Sequence, residues 1–248
     1  MDRSELVRFG SREEGFGVLQ EAIAGAQDQV MLAAPVEVLD TVESALRDAV
    51  ERDATVLLFL GNTTGEDVDF EGMATVARAW ATDDPFTHLC KVDADVGILL
   101  APNRQWAGGD LGHGVAFENE FLASLVHSMA FGNTWPMGRD VHVADPVDLP
   151  HTLDAFIPGV IQTTLHMRAG TPLEVTATGW LRRDQNDPSE LSGQVTNVRQ
   201  NFVAPWTNSF PTEHTITVDT GDDLVRVGGP KAFLEDFAAT ELRLERGD

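Results

Sequence analysis

Residues 201–237, NFVAPWTNSFPTEHTITVDTGDDLVRVGGPKAFLEDF, read as strand, turn, strand, a Gly-Gly corner and a short amphipathic segment ending in two carboxylates. Thr215, Thr217 and Asp219 alternate with Ile216 and Val218, so this strand has one buried face and one wet face. Trp206, Asn208, Phe210, Glu213 and His214 bring together a flat apolar face, an amide, an acid and an imidazole, the mixture that recognises a polyhydroxylated small molecule. Gly228 and Gly229 carry no Cβ, which lets backbone approach such a ligand closely. The stretch reads as a ligand-sensing surface rather than a reaction centre. An ordinary β-hairpin with polar loops is the plainer alternative.

Outward from this stretch the pattern stays β. Residues 173–181, 191–203, 212–219 and 224–227 are strand-like, 182–190 is a polar hairpin loop, and Leu242 and Leu244 alternate in a final short strand over 241–246. Before them, Phe156, Val160, Ile161, Leu165 and Met167 mark a helix that Gly170-Thr171-Pro172 stops. Pro150 suits its first turn, and Pro158 is expected to bend it. The polar run DPVDLP over 145–150, with its two prolines, is the best boundary between domains, giving 1–144 and 145–248.

The N-terminal half alternates helix and strand. Ser11 with Glu14 forms a capping box, and Phe16, Leu19, Ala22, Ile23 and Ala26 recur at helical spacing. A short buried strand over 30–34 ends at Pro35, and Val38, Leu39, Val42, Ala45, Leu46, Ala49 and Val50 mark a second helix. Residues 55–60, TVLLFL, are apolar throughout, which fits a central strand covered on both faces. This order implies an α/β fold with a mainly parallel sheet, followed by a small β-rich domain. Strands are expected over 75–80, 88–92 and 96–101, the last two joined by the turn Asp93-Ala94-Asp95. The Gly-rich stretch 103–114, NRQWAGGDLGHG, has neither a P-loop ending nor a GxGxxG pattern and reads as a surface loop. A helix over 119–135 would bury Phe121, Leu122, Leu125, Val126 and Met129.

Composition narrows the partners. At 248 residues and 42% hydrophobic content, the chain can bury the core of one large or two small domains, and two are expected. The 40 acidic against 17 basic residues give a net charge of -23, which would repel a phosphate backbone, so direct nucleic acid binding by this chain is not expected. Lys91 and Lys231 are the only lysines, and the excess acid is spread along the chain. That balance resembles a protein from a high-salt cytoplasm, where salt screens the self-repulsion of dense carboxylates. Cys90 is the only cysteine, which excludes an intrachain disulfide and a thiolate metal cluster. No apolar run approaches a membrane span and the N-terminal residues do not form a signal peptide, so a soluble cytoplasmic protein without membrane contact is expected.

The first half, with its VLLFLG strand and KVDADVGILLAP as strand, Asp turn and strand, resembles the phospholipase D-like fold. Enzymes of that group need His-x-Lys on one strand. Here the matching place reads His88-Leu89-Cys90-Lys91, with the lysine one position too far and therefore on the opposite strand face. The resemblance implies the scaffold without its chemistry. The second half, with GTPLEVTATG, TNSFP and VGGPKAFLED, is similar to the C-terminal effector region of the TrmB-like archaeal sugar-responsive transcriptional regulators. In that family a phospholipase D-like domain precedes a small β-rich sugar-binding domain, and the likeness covers nearly the whole chain.

The resemblance implies sugar contacts at Gly229, Pro230, Phe233, Leu234 and Glu235, and at His214, where the family commonly has asparagine. Trp206 and Asn208 join these as candidate ligand-binding residues from their chemistry. Glu235 can accept hydrogen bonds from two neighbouring hydroxyls, Phe233 and Leu234 can cover the apolar face of a sugar ring, and His214 can donate or accept. Each has a plainer reading, as core for Phe233 and Leu234 or as a solvated face for Glu235 and Asp236.

Full regulators of this type carry an N-terminal winged helix domain, whereas this chain begins immediately before the effector region. It is expected to be either a stand-alone effector module or a piece of a longer regulator, working as a homodimer or through a partner DNA-binding regulator. The histidines show no metal-ligand spacing, Asp93-Ala94-Asp95 lacks the glutamate a calcium loop requires, and no GxSxG occurs, so no cofactor or metal is expected. A non-catalytic sugar sensor is the leading reading. The alternatives are an enzyme, using His88 as a divergent phosphodiesterase or Glu213 and Glu235 as a hydrolase pair, and an unliganded protein-interaction module.

Overall fold

In the computed structural model, which describes residues 6–102, 113–183 and 187–247, the chain divides into two units, Met1–Ala144 and Asp145–Asp248. The first runs β1 (Leu6–Arg8), α1 (Arg12–Gly25), β2 (Gln29–Pro35), α2 (Leu39–Glu51), β3 (Thr55–Gly61), β4 (Val76–Trp80), β5 (His88–Val92), β6 (Val96–Leu100), β7 (Gly114–Glu118), α3 (Glu120–Met129) and β8 (Arg139–Val143). Ser11 caps α1 by accepting the Glu14 N–H at 3.1 Å. The Glu14 carboxylate in turn accepts the Gly10 N–H at 2.7 Å, one residue upstream of the usual partner in a capping box.

The strands form one sheet in the order β1-β7-β6-β5-β2-β3-β4-β8. The sixth strand in that order, β3, is interior to the sheet and buried over its whole length. The expectation of a mainly parallel sheet is corrected here: among the described residues only β2–β3 and β3–β4 are parallel, and the sheet is mixed. The cause lies in the connections. Parallel neighbours need a crossover, which α2 supplies between β2 and β3, whereas the turn at 93–95 joins β5 to β6 too tightly for anything but an antiparallel pair. That turn is also a brace. The Asp93 carboxylate accepts the backbone N–H groups of Gln27, Asp28 and Gln29 at 2.8–3.2 Å, tying the loop before β2 to the end of β5. Helices α1 and α2 cover one sheet face, where Leu19, Ile23, Val42 and Leu46 meet Val30, Leu32, Val56 and Leu58 in the core.

Helix α3 buries Val126 of the stripe read from the sequence but not Phe121, Leu125 or Met129. Phe121, Leu125 and Met129 are 66%, 51% and 45% exposed, and the inward face is Ala123, Val126, Ala130 and Phe131. Both stripes have helical spacing, and the smaller residues are the ones that let the helix approach the sheet. After Met129 the chain continues as one π turn over Ala130–Thr134 and a 3-10 turn over Trp135–Met137. Among the described residues no helix is long and apolar enough to cross a membrane.

The second unit runs β9 (His151–Leu153), α4 (Phe156–Arg168), β10 (Leu173–Leu181), β11 (Pro188–Arg199), β12 (Thr215–Asp219), β13 (Leu224–Gly228) and β14 (Phe237–Arg246). Strands β10 to β14 follow one another in the sheet, and β14 pairs back onto β10, so five strands close on themselves while β9 adds to β14. Helix α4 is buried nearly throughout and packs against β9, β10, β11, β12 and β14. Two sequence readings change here. Pro150 precedes strand β9 instead of opening the helix, and Pro158 is the third residue of α4, where its missing N–H had no helical partner to lose. The helix ends in a Schellman motif: Gly170 has φ +74°, and Thr171 N–H donates to the His166 carbonyl at 3.0 Å and Gly170 N–H to Met167 at 3.1 Å.

Candidate functional site

The register of β12 and β13 sets the site in the second unit. Ile216 pairs with Val227 and Thr217 with Arg226, so Thr215 and Gly228 come at the same end of the two strands. Beyond Gly228 the chain turns, with Ala232 N–H donating to the Gly229 carbonyl at 2.8 Å, and returns to β14. That return lays Glu235 over Gly228. A Cβ at Gly228 would stand 2.8 Å from Glu235 Cγ and 2.7 Å from Ala232 Cβ, closer than real Cβ atoms come. Glycine is required there by proximity, not by its backbone angles.

The Glu235 carboxylate is held at both oxygens. Oε1 accepts the Thr215 hydroxyl at 2.9 Å, and Oε2 accepts the Leu234 N–H at 3.2 Å. Each oxygen has a second lone pair to offer. Phe233 is 62% and Leu234 43% exposed, so neither is core, and both stand beside the carboxylate in sequence as uncovered apolar surface. Pro230 is exposed, and Gly229 packs on Phe156 at the start of α4. The far end of the segment is clamped by Asp236, whose carboxylate takes the Arg226 guanidinium in two hydrogen bonds of 3.1 Å and its N–H at 3.2 Å. These bonds raise the Arg226 pKa and lower that of Asp236.

His214 directly precedes Thr215. It is buried, its Nε2 lies 3.1 Å from Asn201 Oδ1, and its ring stacks on Phe202 with centroids 4.4 Å apart. Burial pushes its pKa down to about 3. A neutral imidazole adjoining Thr215 steadies the strand that presents the Thr215 hydroxyl, and links it to the loop carrying Trp206 and Asn208. That loop is folded around Gln200, a fully buried residue. Its Oε1 accepts the Phe202 and Val203 N–H groups at 2.7 and 2.8 Å, and its Nε2 donates to the Val203 carbonyl at 2.8 Å. Trp206 is 40% exposed. Asn208 is half-buried and donates to the Phe210 carbonyl at 2.7 Å. Glu213 is occupied by the Arg199 guanidinium at 3.4 Å and the Ser209 N–H at 2.5 Å.

The structure thus gathers Gly229, Pro230, Phe233, Leu234 and Glu235 on one turn, holds His214 against Asn201 and Phe202, and leaves Trp206 and Asn208 on the loop that follows β11. Thr215, Gln200, Asn201 and Arg226 were missed by sequence reasoning. Of these, Thr215 carried a signal, since it follows His214 directly at the start of the alternating strand.

In the first unit the His-x-Lys comparison acquires geometry. His88 and Cys90 point to one face of β5, and Lys91, on the other, donates to the Asp93 carbonyl. Cys90 is fully buried in the α1/α2 core, which pushes its thiol up to about 12. It is a packing residue of that core. The Gly-rich stretch lies largely in 103–112, outside the described residues.

Two family models match the chain: Transcriptional regulator TrmB, EBD N-terminal subdomain, over residues 5–142, and TrmB/TrmBL1, EBD C-terminal subdomain, over residues 148–247, EBD denoting the effector-binding domain. Among solved structures, TrmBL2, an archaeal chromatin protein described with a novel mode of DNA binding, is similar over 56% of this chain at 16% identity and a TM-score of 0.43. The match takes in 54% of the TrmBL2 chain, so it spans about half of that protein. Nuc from Salmonella typhimurium, a phospholipase D family member, is similar over 57% of this chain and 99% of its own at 15% identity and a TM-score of 0.37. A comparison with curated proteins finds no match.

Proposed function

The chain belongs to the family of TrmB effector-binding domains, whose N- and C-terminal subdomain models it matches in turn, and from that premise we propose that it is a non-catalytic sugar-sensing module of transcription regulation. In this reading residues 1–144 are a phospholipase D-like α/β domain without the catalytic motif, and residues 145–248 bind a small carbohydrate. The occupied state is signalled to a second copy of the chain or to a partner that contacts DNA.

The observation that carries the reading is the Glu235 turn. A carboxylate fixed by Thr215 and the Leu234 N–H is already oriented before a ligand arrives, so binding does not have to order it. Sugars present paired hydroxyls on an edge and C–H groups on a face. Glu235 answers the first, and exposed Phe233 and Leu234 answer the second. The non-catalytic part is supported by chemistry at both enzyme candidates. Cys90 stands where a phosphodiesterase needs lysine, and Glu213 is committed to Arg199 and Ser209.

The test is thermal unfolding at high KCl against a panel of mono- and disaccharides, because a ligand of the folded state raises the midpoint by mass action. A saturable shift with one sugar, lost in Glu235→Ala, is the expected result. Turnover of any panel member, or a shift that survives Glu235→Ala unchanged, would overturn the assignment.

A further inference from the structure

A cavity of about 320 Å³ opens in the first unit where the parallel strands β2 and β3 end. Pro35 and Asn62 mark those strand ends, Arg12 and Phe16 reach in from the first turns of α1, and His88 and Phe86 close it from the start of β5. The carboxyl ends of parallel strands are where open α/β sheets hold ligands, and the volume lies at the lower end of the small-molecule range of about 300–1,000 Å³.

His88 is the feature that makes this more than a crevice. It is only 2% exposed, it lines the cavity, and neither ring nitrogen has a hydrogen-bond partner among the described residues. Its ring is set between Phe16, stacked at 6.3 Å and within 2° of parallel, and Phe86, edge-on at 6.4 Å. Aromatic neighbours fix the ring plane and leave both nitrogens unanswered, an arrangement that is costly unless something else supplies the bonds.

The surroundings select that something. Burial, and then the Arg12 cation, push the His88 pKa down to about 4, so at neutral pH the imidazole carries one donor and one acceptor. Glu37, Asp83 and Asp84 line the cavity against the single cation Arg12, whose guanidinium lies 5.1 Å over the Phe16 ring. An anion would meet three carboxylates. An ammonium group only donates and would leave the imidazole N–H unpaired. A hydroxyl both donates and accepts, as the Asn62 amide also does, while the phenyl and proline walls suit C–H faces.

We propose that the His88 cavity is a second ligand site, separate from the Glu235 turn, that takes a small uncharged polyhydroxylated molecule. The site does not depend on the effector reading of Glu235, and either can fail without the other.

The experiment is side-chain nitrogen NMR of the histidines in the full chain, titrated with glycerol, myo-inositol and glucose, and with sodium phosphate and methylammonium as the charged comparisons. His88→Phe assigns the resonance by its loss and keeps an aromatic ring between Phe16 and Phe86. Asn62→Gly serves as a second variant, since Asn62 has φ +61°, which glycine accepts. The expected result is a saturable shift of the His88 signals with at least one uncharged probe at tens of millimolar. It should be the same in Glu235→Ala and weakened several-fold in Asn62→Gly. A shift caused by phosphate or methylammonium instead, or none from the three polyols, overturns the proposal.

Discussion

The Thr215 hydroxyl donates to Glu235 Oε1 at 2.9 Å across the end of the β12–β13 pair, with Gly228 lying under the carboxylate. Thr215 is buried, so its hydroxyl is spent on this bond and on nothing in solvent. Thr215→Val keeps the shape and removes the donor. The carboxylate then retains only the Leu234 N–H, and a lost hydrogen bond to a charged group is expected to cost about 1–3 kcal/mol, or about 5- to 150-fold in sugar affinity. Calorimetric titration with whichever sugar shifts the wild-type melting midpoint checks this. Equal affinity in the variant would mean that Thr215 does not orient the acid.

Gly228→Ala tests the same relationship from below. The new methyl meets Ala232 Cβ at 2.7 Å and Glu235 Cγ at 2.8 Å, and both lie on a turn that has to shift outward. Overpacking of this kind costs about 1–3 kcal/mol, which denaturant unfolding will read directly. The displaced turn should also lose its sugar-dependent stabilisation. A variant as stable as wild type and with unchanged sugar response would contradict the close approach.

The Arg226–Asp236 clamp is exposed, each side chain being about half accessible, so its removal should barely touch global stability. Arg226→Ala and Asp236→Asn are each expected to cost under about 1 kcal/mol of unfolding free energy, and a double-mutant cycle should return a coupling in the same range. The effect belongs on binding, because the clamp fixes the end of the 229–236 turn. Calorimetric titration at constant KCl is expected to show weaker sugar affinity in both variants, and affinity equal to wild type would show that the clamp does not position the turn.

Where the sequence was legible, the physics was local. The Ser11–Glu14 cap, the uniformly apolar β3 and the alternation at 215–219 each depend on neighbours within a few residues; the structure has the first two and has the third from Ile216 to Asp219, while Thr215 is buried where Glu235 takes its hydroxyl. The misread places turn on contacts between distant residues. Helix α3 offers two stripes of equal period that share Val126, and only the sheet decides that Ala123 and Ala130 face inward instead of Phe121, Leu125 and Met129. Pro158 looks like a bend until β9 takes residues 151–153 and the helix is found to begin at Phe156. At the site, the Glu235 turn was legible from VGGPKAFLED because glycines and an acid advertise it. The support from Thr215 and Arg226 was not, because strand register brings them there and no spacing along the chain encodes it.

Acid should unfold this protein partly through two histidines. His214 is pushed down to about 3 by burial alone, and His88 to about 4 by burial and then Arg12, from an ordinary value of 6.5. In each case the folded state holds the neutral ring and the unfolded state binds the proton more readily. The stabilising contribution is therefore complete above about pH 6.5 and declines as the pH falls toward the folded-state value. Each ring contributes a slope of about 1.4 kcal/mol per pH unit within its window. His88→Phe removes one of the two titrations without removing the ring. The variant is expected to lose stability less steeply than wild type between about pH 6 and pH 4, by about 1.4 kcal/mol per pH unit, in urea unfolding at constant KCl. Parallel profiles for the two proteins would show that His88 titrates alike in the folded and unfolded chain, and that its burial is not what sets its charge.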